Sequence, residues 1–177
     1  MSTLDSAVQN EIDQWLNGSY DEETKAAIQQ KLDDEKYDEL TDAFYKDLEF
    51  GTGGLRGIMG IGSNRVNKYT FGIATQGLSN FLKKEYPGKE LKVAIAHDCR
   101  NNSETLAQVV ADVFSANGIH VYFFDGLRPT PELSYAIREL GCQSGVMLTA
   151  SHNPKDIMAI KPTVLMVVSL YLHMIKW

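Results

Sequence analysis

Leu148-Thr149-Ala150-Ser151-His152-Asn153-Pro154-Lys155 is the stretch on which the reading of this chain turns. It follows Gly145-Val146-Met147-Leu148, an apolar run that predicts a short buried strand. Ser151 would then stand at the carboxyl end of that strand, where open α/β sheets hold their ligands. Ser, Asn and Pro are also ordinary turn formers, so the octet taken alone reads equally well as a plain turn.

Working back from it, Thr130-Pro131-Glu132 predicts a helix start, with a cap, a proline in the first turn and an early acid, running to about Leu140. Ile119–Phe124 predicts a strand ending at Asp125-Gly126. Before it, Ser103 can cap a helix whose Leu106, Val110, Val113 and Phe114 face a sheet and which Gly118 closes. Leu91–Ala96 predicts another buried strand, ending in His97-Asp98-Cys99-Arg100, and Lys68–Tyr86 a helix stopped by Pro87-Gly88. Alternating strands and helices with short connections specify an α/β fold: a small mixed, largely parallel sheet with helices on both faces. Polar residues gather where each strand ends: Arg100 after one, Asp125 and Arg128 after the next, Ser151 and His152 after the last.

The first 49 residues read differently, as a helical extension in front of a domain beginning near Phe50. Leu4, Val8, Ile12, Trp15 and Leu16 share a helical face, and Asn17-Gly18 stops it. Ser19-Tyr20-Asp21-Glu22 reads as the capping box of a second helix, to about Leu32, and Tyr37–Leu48 as a third. A formal charge of −6 without a concentrated basic stretch argues against nucleic acid as a partner. Cys99 and Cys142 offer neither a disulfide framework nor metal-site spacing, and the amino terminus lacks the pattern of a signal peptide, so a cytoplasmic location is expected.

Phe50-Gly51-Thr52-Gly53-Gly54-Leu55-Arg56-Gly57 has the glycines of a dinucleotide loop, but that motif follows a strand, and here an acidic helical pattern precedes it. The glycines instead suggest a loop whose backbone approaches a ligand closely, with Arg56 offering a fork of donors to phosphate. A serine hydrolase is a weak reading, because Ser151 lies between Ala150 and His152 and not in Gly-x-Ser-x-Gly. His97, His120, His152 and His173 lack zinc-ligand spacing.

Thr-Ala-Ser-His-Asn-Pro and Gly-Thr-Gly-Gly-Leu-Arg-Gly, in this order and about a hundred residues apart, resemble the α-D-phosphohexomutases, the phosphoglucomutase and phosphomannomutase family. The resemblance runs from about Tyr45 to Asp156 and covers one domain of a family that usually has four. It implies that Ser151 carries a phosphoryl group and is a ligand of Mg2+, with the other metal ligands in a domain not contained here. It further implies that Arg56, Thr52 and Gly53 lie near that phosphate, that His152 and Asn153 shape the serine loop, and that Arg100 contributes to phosphate binding. Lys161 stands where the family has a lysine proposed for proton transfer, although its neighbours differ. The implied substrates are hexose phosphates such as glucose 1-phosphate and glucose 6-phosphate. The long amino-terminal segment and the Gly-Thr-Gly-Gly-Leu-Arg-Gly motif resemble the glucose-type branch.

After Asp156 the family would continue with YNGYKAY, whereas this chain reads Ile157-Met158-Ala159-Ile160-Lys161-Pro162-Thr163. Restoring one nucleotide before the codon for Ile157 forces glycine at positions 159 and 167, and allowed codons then spell YNGYKAY, DGGQ and VPPHDK. Residues 157–177 are therefore expected to be a frameshifted tail on a truncated phosphohexomutase that turns over little or nothing. The competing expectation is a non-catalytic product acting at most as a binding domain. Val164–Ile175 is largely apolar, but it falls short of the roughly twenty residues that span a bilayer and His173 interrupts it, so no membrane partner is expected. It reads as a buried strand, an interfacial segment or, preferred here, an aggregation-prone tail not shaped to pack.

Overall fold

The computed structural model describes residues 4–51 and 53–164. Three helices come first: α1 (Ser6–Asn17), α2 (Glu22–Asp33) and α3 (Tyr37–Phe44). They enclose a small core of their own, in which Val8, Ile12, Trp15, Ile28, Leu40 and Phe44 are buried. The cap of α2 differs from the Ser19 box expected from the sequence: Asp21 is the N-cap and accepts the Thr24 N–H at 3.0 Å. The reason is Tyr20, whose ring stacks on Trp15 at 4.1 Å and so holds Ser19-Tyr20 outside the helix.

The remaining elements are β1 (Phe50–Gly51), β2 (Gly54–Ile58), α4 (Lys68–Glu85), β3 (Lys92–His97), α5 (Ser103–Ala116), β4 (His120–Phe123), α6 (Thr130–Glu139), β5 (Ser144–Leu148) and β6 (Ile157–Val164). The six strands form one sheet in the order β1-β2-β6-β5-β3-β4. β3 runs parallel to β4 and β5, while β6 is antiparallel to β5 and β2, and β1 antiparallel to β2. The fold is thus the mixed α/β sheet expected. Its main core lies on one face, where Phe71, Leu78 and Leu82 of α4 and Leu106, Val110 and Phe114 of α5 pack on Val93, Ile95, Val146 and Leu148. On the other face α6 places Leu133 and Ile137 against Ala94, Ala96 and Met147.

Helix starts differ from the sequence reading in a consistent way. Ser103 is the first helical residue of α5, and the N-cap is Asn102, left-handed at φ 60°. Thr130 likewise lies inside α6, whose N-cap is Pro129. α4 carries a cap the sequence reading missed, a reciprocal pair in which Asn67 accepts from the Thr70 N–H and Thr70 accepts from the Asn67 N–H.

Two strand assignments are corrections. The glycine-rich stretch is not a ligand loop throughout: it is the hairpin β1–β2, with Phe50 opposite Leu55 and Gly51 opposite Gly54, and Arg56 sits within a strand. Gly54 makes this possible, because its φ is +112° and an added Cβ would lie 2.2 Å from the Ile160 carbonyl oxygen. The second concerns the segment after Asp156. Ile157–Val164 occupies the slot between β2 and β5, with Met158 and Ile160 buried in the main core. Backbone pairing asks little of side-chain identity, and an apolar residue at alternate positions satisfies the buried face. Even Pro162 fits. Thr149 donates to the Ala159 carbonyl, so Val146 and Pro162 form a non-hydrogen-bonded pair, and the missing N–H turns away from β5, past the end of β2 at Gly54. The rest of the expected apolar tail, 165–177, lies outside the described residues.

Candidate active site at the carboxyl edge of the sheet

The site forms where the parallel strands end. From β3 the chain crosses by α5 to β4 on one side, and from β4 by α6, on the opposite face, to β5 on the other side. The loops after β3, β4 and β5 therefore part around the end of β3, the crevice that open α/β sheets use for ligands. Backbone hydrogen bonds tie the three together: Asp98 N–H donates to the Leu148 carbonyl at 3.1 Å, and Arg128 N–H to the His97 carbonyl at 3.3 Å. Between them opens a cleft of about 660 Å³, bordered by Asp98, Arg128, Thr130, Thr149, Ser151 and His152.

Ser151 is exposed and has a left-handed backbone, φ 56°. A serine rarely adopts that conformation, so the surrounding loop must impose it. Thr149 Oγ1 accepts the Ser151 N–H at 3.0 Å, and the Ala150 carbonyl accepts both the backbone N–H and the side-chain amide of Asn153, at 3.1 and 2.8 Å. His152 Nδ1 lies 3.3 Å from Ser151 Oγ. Asn153 thus closes the turn, while His152 borders the hydroxyl.

Arg100 reaches into this loop from the β3–α5 connection. Its guanidinium donates to the carbonyls of Ser151, Asn153 (2.7 Å), Pro154 (2.9 Å) and Ile157 (3.4 Å). Asp98 accepts the Arg100 N–H at 3.0 Å, and its carboxylate lies 3.7 Å from Arg100 Nε. The sequence placed Arg100 at the site as a phosphate ligand; the structure engages its donors with carbonyl oxygens of the serine loop.

Arg56 and Lys161 come to the site through strand register. Arg56 pairs with Ala159, and Thr149 bonds to the carbonyl of the same Ala159, so Arg56 stands two strand spacings from Thr149, about 10 Å. Leu55, Ile160 and Leu148 lie in one row facing the α4–α5 core, which puts Arg56, Ala159 and Thr149 on the opposite, cleft-bearing face. Lys161, two residues beyond Ala159 and opposite Met147, shares that face. Arg56 is exposed, and its side chain makes no hydrogen bond or ion pair among the described residues. Gly53 lies in the exposed hairpin turn, and Thr52 is outside the described residues.

Thr149 and Asp98 are site residues that the sequence reading passed over as functional groups. Both stand at strand ends, so the rule that singled out Arg100 and Ser151 had already pointed to them. A magnesium ion requires several oxygen ligands. Ser151 presents its hydroxyl on the cleft, but no group of three or more His, Cys, Asp or Glu suited to a metal occurs among the described residues. Nor is any helix among them long and apolar enough to cross a membrane.

Residues 47–164 match the family profile described as phosphoglucomutase/phosphomannomutase, alpha/beta/alpha domain I. The chain is 39% identical over 152 residues to a Schizosaccharomyces pombe protein named a probable phosphoribomutase, covering 85% of this chain and 26% of that protein. It is 37% identical over 147 residues to a phosphoglucomutase of Staphylococcus aureus, covering 83% of this chain and 26% of the relative. A solved Thermus thermophilus chain named for phosphomannomutase superposes with a TM-score of 0.61 at 28% identity, over 67% of this chain and 26% of that one. The chain spans about a quarter of the length of the curated relatives it matches. With a family match over residues 47–164 that contains the exposed strand-end serine and its supporting loops, the chain belongs to the phosphoglucomutase/phosphomannomutase family, as its α/β/α domain I.

Proposed function

We propose that the chain is the serine-bearing domain of a sugar-phosphate mutase, with Ser151 Oγ as the atom that accepts and returns a phosphoryl group. The observation that carries the reading is the presentation of Ser151: exposed, left-handed, at the carboxyl edge of the sheet, on a cleft shared by three strand-end loops. A phosphoserine there would be doubly charged near neutrality. Arg56, free of other ion pairs among the described residues and on the same sheet face, can approach that charge. His152 Nδ1 lies within reach of the serine hydroxyl and is suited to exchange a proton with it. Lys161 lies farther along the face and, in this reading, would serve a sugar hydroxyl.

The reaction moves phosphate between the 1- and 6-positions of a hexose. Phosphoserine gives its phosphoryl group to the free hydroxyl of a hexose monophosphate, and the resulting bisphosphate returns its other phosphate to Ser151. Glucose phosphates are the preferred substrates in this reading, and the relative named for phosphoribomutase makes pentose phosphates the class to compare with them. Magnesium, bound through the phosphorylated serine, would neutralise charge on the transferring group. Its remaining oxygen ligands would come from outside this domain, as would sugar recognition. A cytoplasmic location suits these substrates.

We also infer that residues 157–177 are a frameshifted continuation and that the 177-residue chain by itself turns over little or nothing. Incubating the purified chain with Mg2+ and a hexose 1,6-bisphosphate should add one phosphate to Ser151, read by peptide mass spectrometry. Glucose 1-phosphate should be converted negligibly. Absence of phosphate on Ser151 would count against the serine-carrier reading, and magnesium-dependent isomerisation that Ser151→Ala abolishes would overturn the inactivity of the isolated chain. Accumulated binding of hexose phosphate without any serine phosphate would instead favour a non-catalytic binding domain.

A further inference from the structure

We propose that Arg100 is a positioning residue that moulds the serine loop, and that it does so by gathering backbone carbonyls and not by touching the phosphate. In its connection to phosphoryl transfer the proposal rests on the function proposed above; its structural part does not.

Four carbonyl oxygens, from Ser151, Asn153, Pro154 and Ile157, converge on one guanidinium whose side chain is only 13% exposed. Carbonyl oxygens carry partial negative charge, and four of them turned toward the cleft would repel a dianionic phosphoserine. Drawing them to one partly buried cation faces them away from the cleft and bends the chain into the left-handed turn at Ser151. Only a planar fork can serve so many acceptors at once; a lysine ammonium has three donors at a single point. The fork is itself oriented. Asp98 holds the Arg100 backbone at 3.0 Å and faces Nε at 3.7 Å, and the Asp98 N–H is fixed on the last carbonyl of β5. Arg100 also reaches Ile157, the first residue of β6, and so links the β3 loop, the serine loop and the strand that pairs with Arg56. With its donors engaged in this way, Arg100 has little left to offer a phosphate on the other side of the loop.

The test uses the full 177-residue chain and its Arg100→Ala and Arg100→Lys variants, with two readouts. The first is hydrogen–deuterium exchange of backbone amides across 149–157, referenced to the α4–α5 core. The second is Ser151 phosphate after incubation with a hexose 1,6-bisphosphate and Mg2+. Exchange across 149–157 should rise about tenfold or more in Arg100→Ala, as expected for lost charge-assisted hydrogen bonds, while core exchange is unchanged. Millimolar guanidinium should reverse the rise and equal urea should not. Arg100→Lys should recover only part of the protection, and it carries the test if Arg100→Ala does not fold. Phosphate uptake should fall and recover in step with loop protection. Unchanged exchange across 149–157 overturns the proposal, as does a loss of phosphate uptake with the loop still protected, which would make Arg100 a direct phosphate ligand. If the unsubstituted chain takes up no phosphate, the mutase reading fails, and the exchange data still decide whether Arg100 moulds the loop.

Discussion

At the scale of single residues, Ser151 combines a reactive position with an unfavourable backbone. A non-glycine residue in the left-handed region costs roughly 1–2 kcal/mol, which glycine avoids at an entropic cost of about 0.5–1 kcal/mol. Ser151→Gly is therefore expected to be more stable than Ser151→Ala by about 0.5–1 kcal/mol in urea unfolding. Both variants should lose phosphate uptake completely, because both lack Oγ. If Ser151→Gly were no more stable than Ser151→Ala, φ 56° would not represent strain held by the loop. The sequence made Ser151 and His152 visible through their place at the end of an apolar run and through the motif Thr-Ala-Ser-His-Asn-Pro that they share. It could not show that Arg100 faces carbonyl oxygens, because those oxygens lie more than fifty residues further along the chain and meet it only when β3 and β5 pair in register.

At the scale of elements, the packing of α6 on β5 depends on the absence of a side chain. A Cβ on buried Gly145 would lie 2.4 Å from Ile137 Cδ1 and 3.2 Å from the Ala94 carbonyl oxygen. Gly145→Ala should destabilise the domain by about 1–3 kcal/mol, the usual cost of overpacking a core. Adding Ile137→Val, which removes the nearest methyl, should restore part of that loss, so the double variant would be more stable than the sum of the single changes predicts. Additive losses would show that α6 does not press on Gly145. In the hairpin, Gly54→Ala should cost about 1–3 kcal/mol through its left-handed φ and the Ile160 carbonyl in its way, with protection lost first at β1 and β2 in amide exchange. The parallel strands β3, β4 and β5 were legible because each is an apolar run bounded by turn residues. The hairpin was not, since glycine is a poor strand former and Gly51-Thr52-Gly53-Gly54 carries no alternation; its strands exist because β6 supplies a partner.

At the scale of the whole molecule, the helical extension is fastened to the α/β domain through Asp21. Its carboxylate accepts from Lys68 Nζ at 2.9 Å and from the Tyr69 hydroxyl, while capping α2. Those bonds, the Lys68 ion pair foremost, hold the Asp21 carboxyl well below the usual carboxylate range and raise the Lys68 ammonium. A folded-state pKa below the unfolded one contributes stability that is full above the unfolded value, near about 3.9, and is lost as pH falls below it toward the folded value. Asp21→Asn keeps a good cap and removes the charge. Near neutrality the unsubstituted chain should be more stable than Asp21→Asn by about 1 kcal/mol or less, since the Asp21 side chain is 33% exposed and solvent screens the pair. That advantage should hold down to about pH 5 and shrink below about pH 4; an advantage independent of pH would rule out the ion pair as its source. The sequence by itself determined the alternation of strands and helices, the helical front segment and the motifs that mark the family, because periodicity, apolar runs and turn chemistry act locally. Only the tertiary structure decided that Asp21 fastens the extension, that residues 157–164 complete the sheet between β2 and β5, and that Arg56 and Lys161 share the face of the serine cleft. Those facts depend on strand order and register, which arise when distant segments pair and which no local pattern encodes.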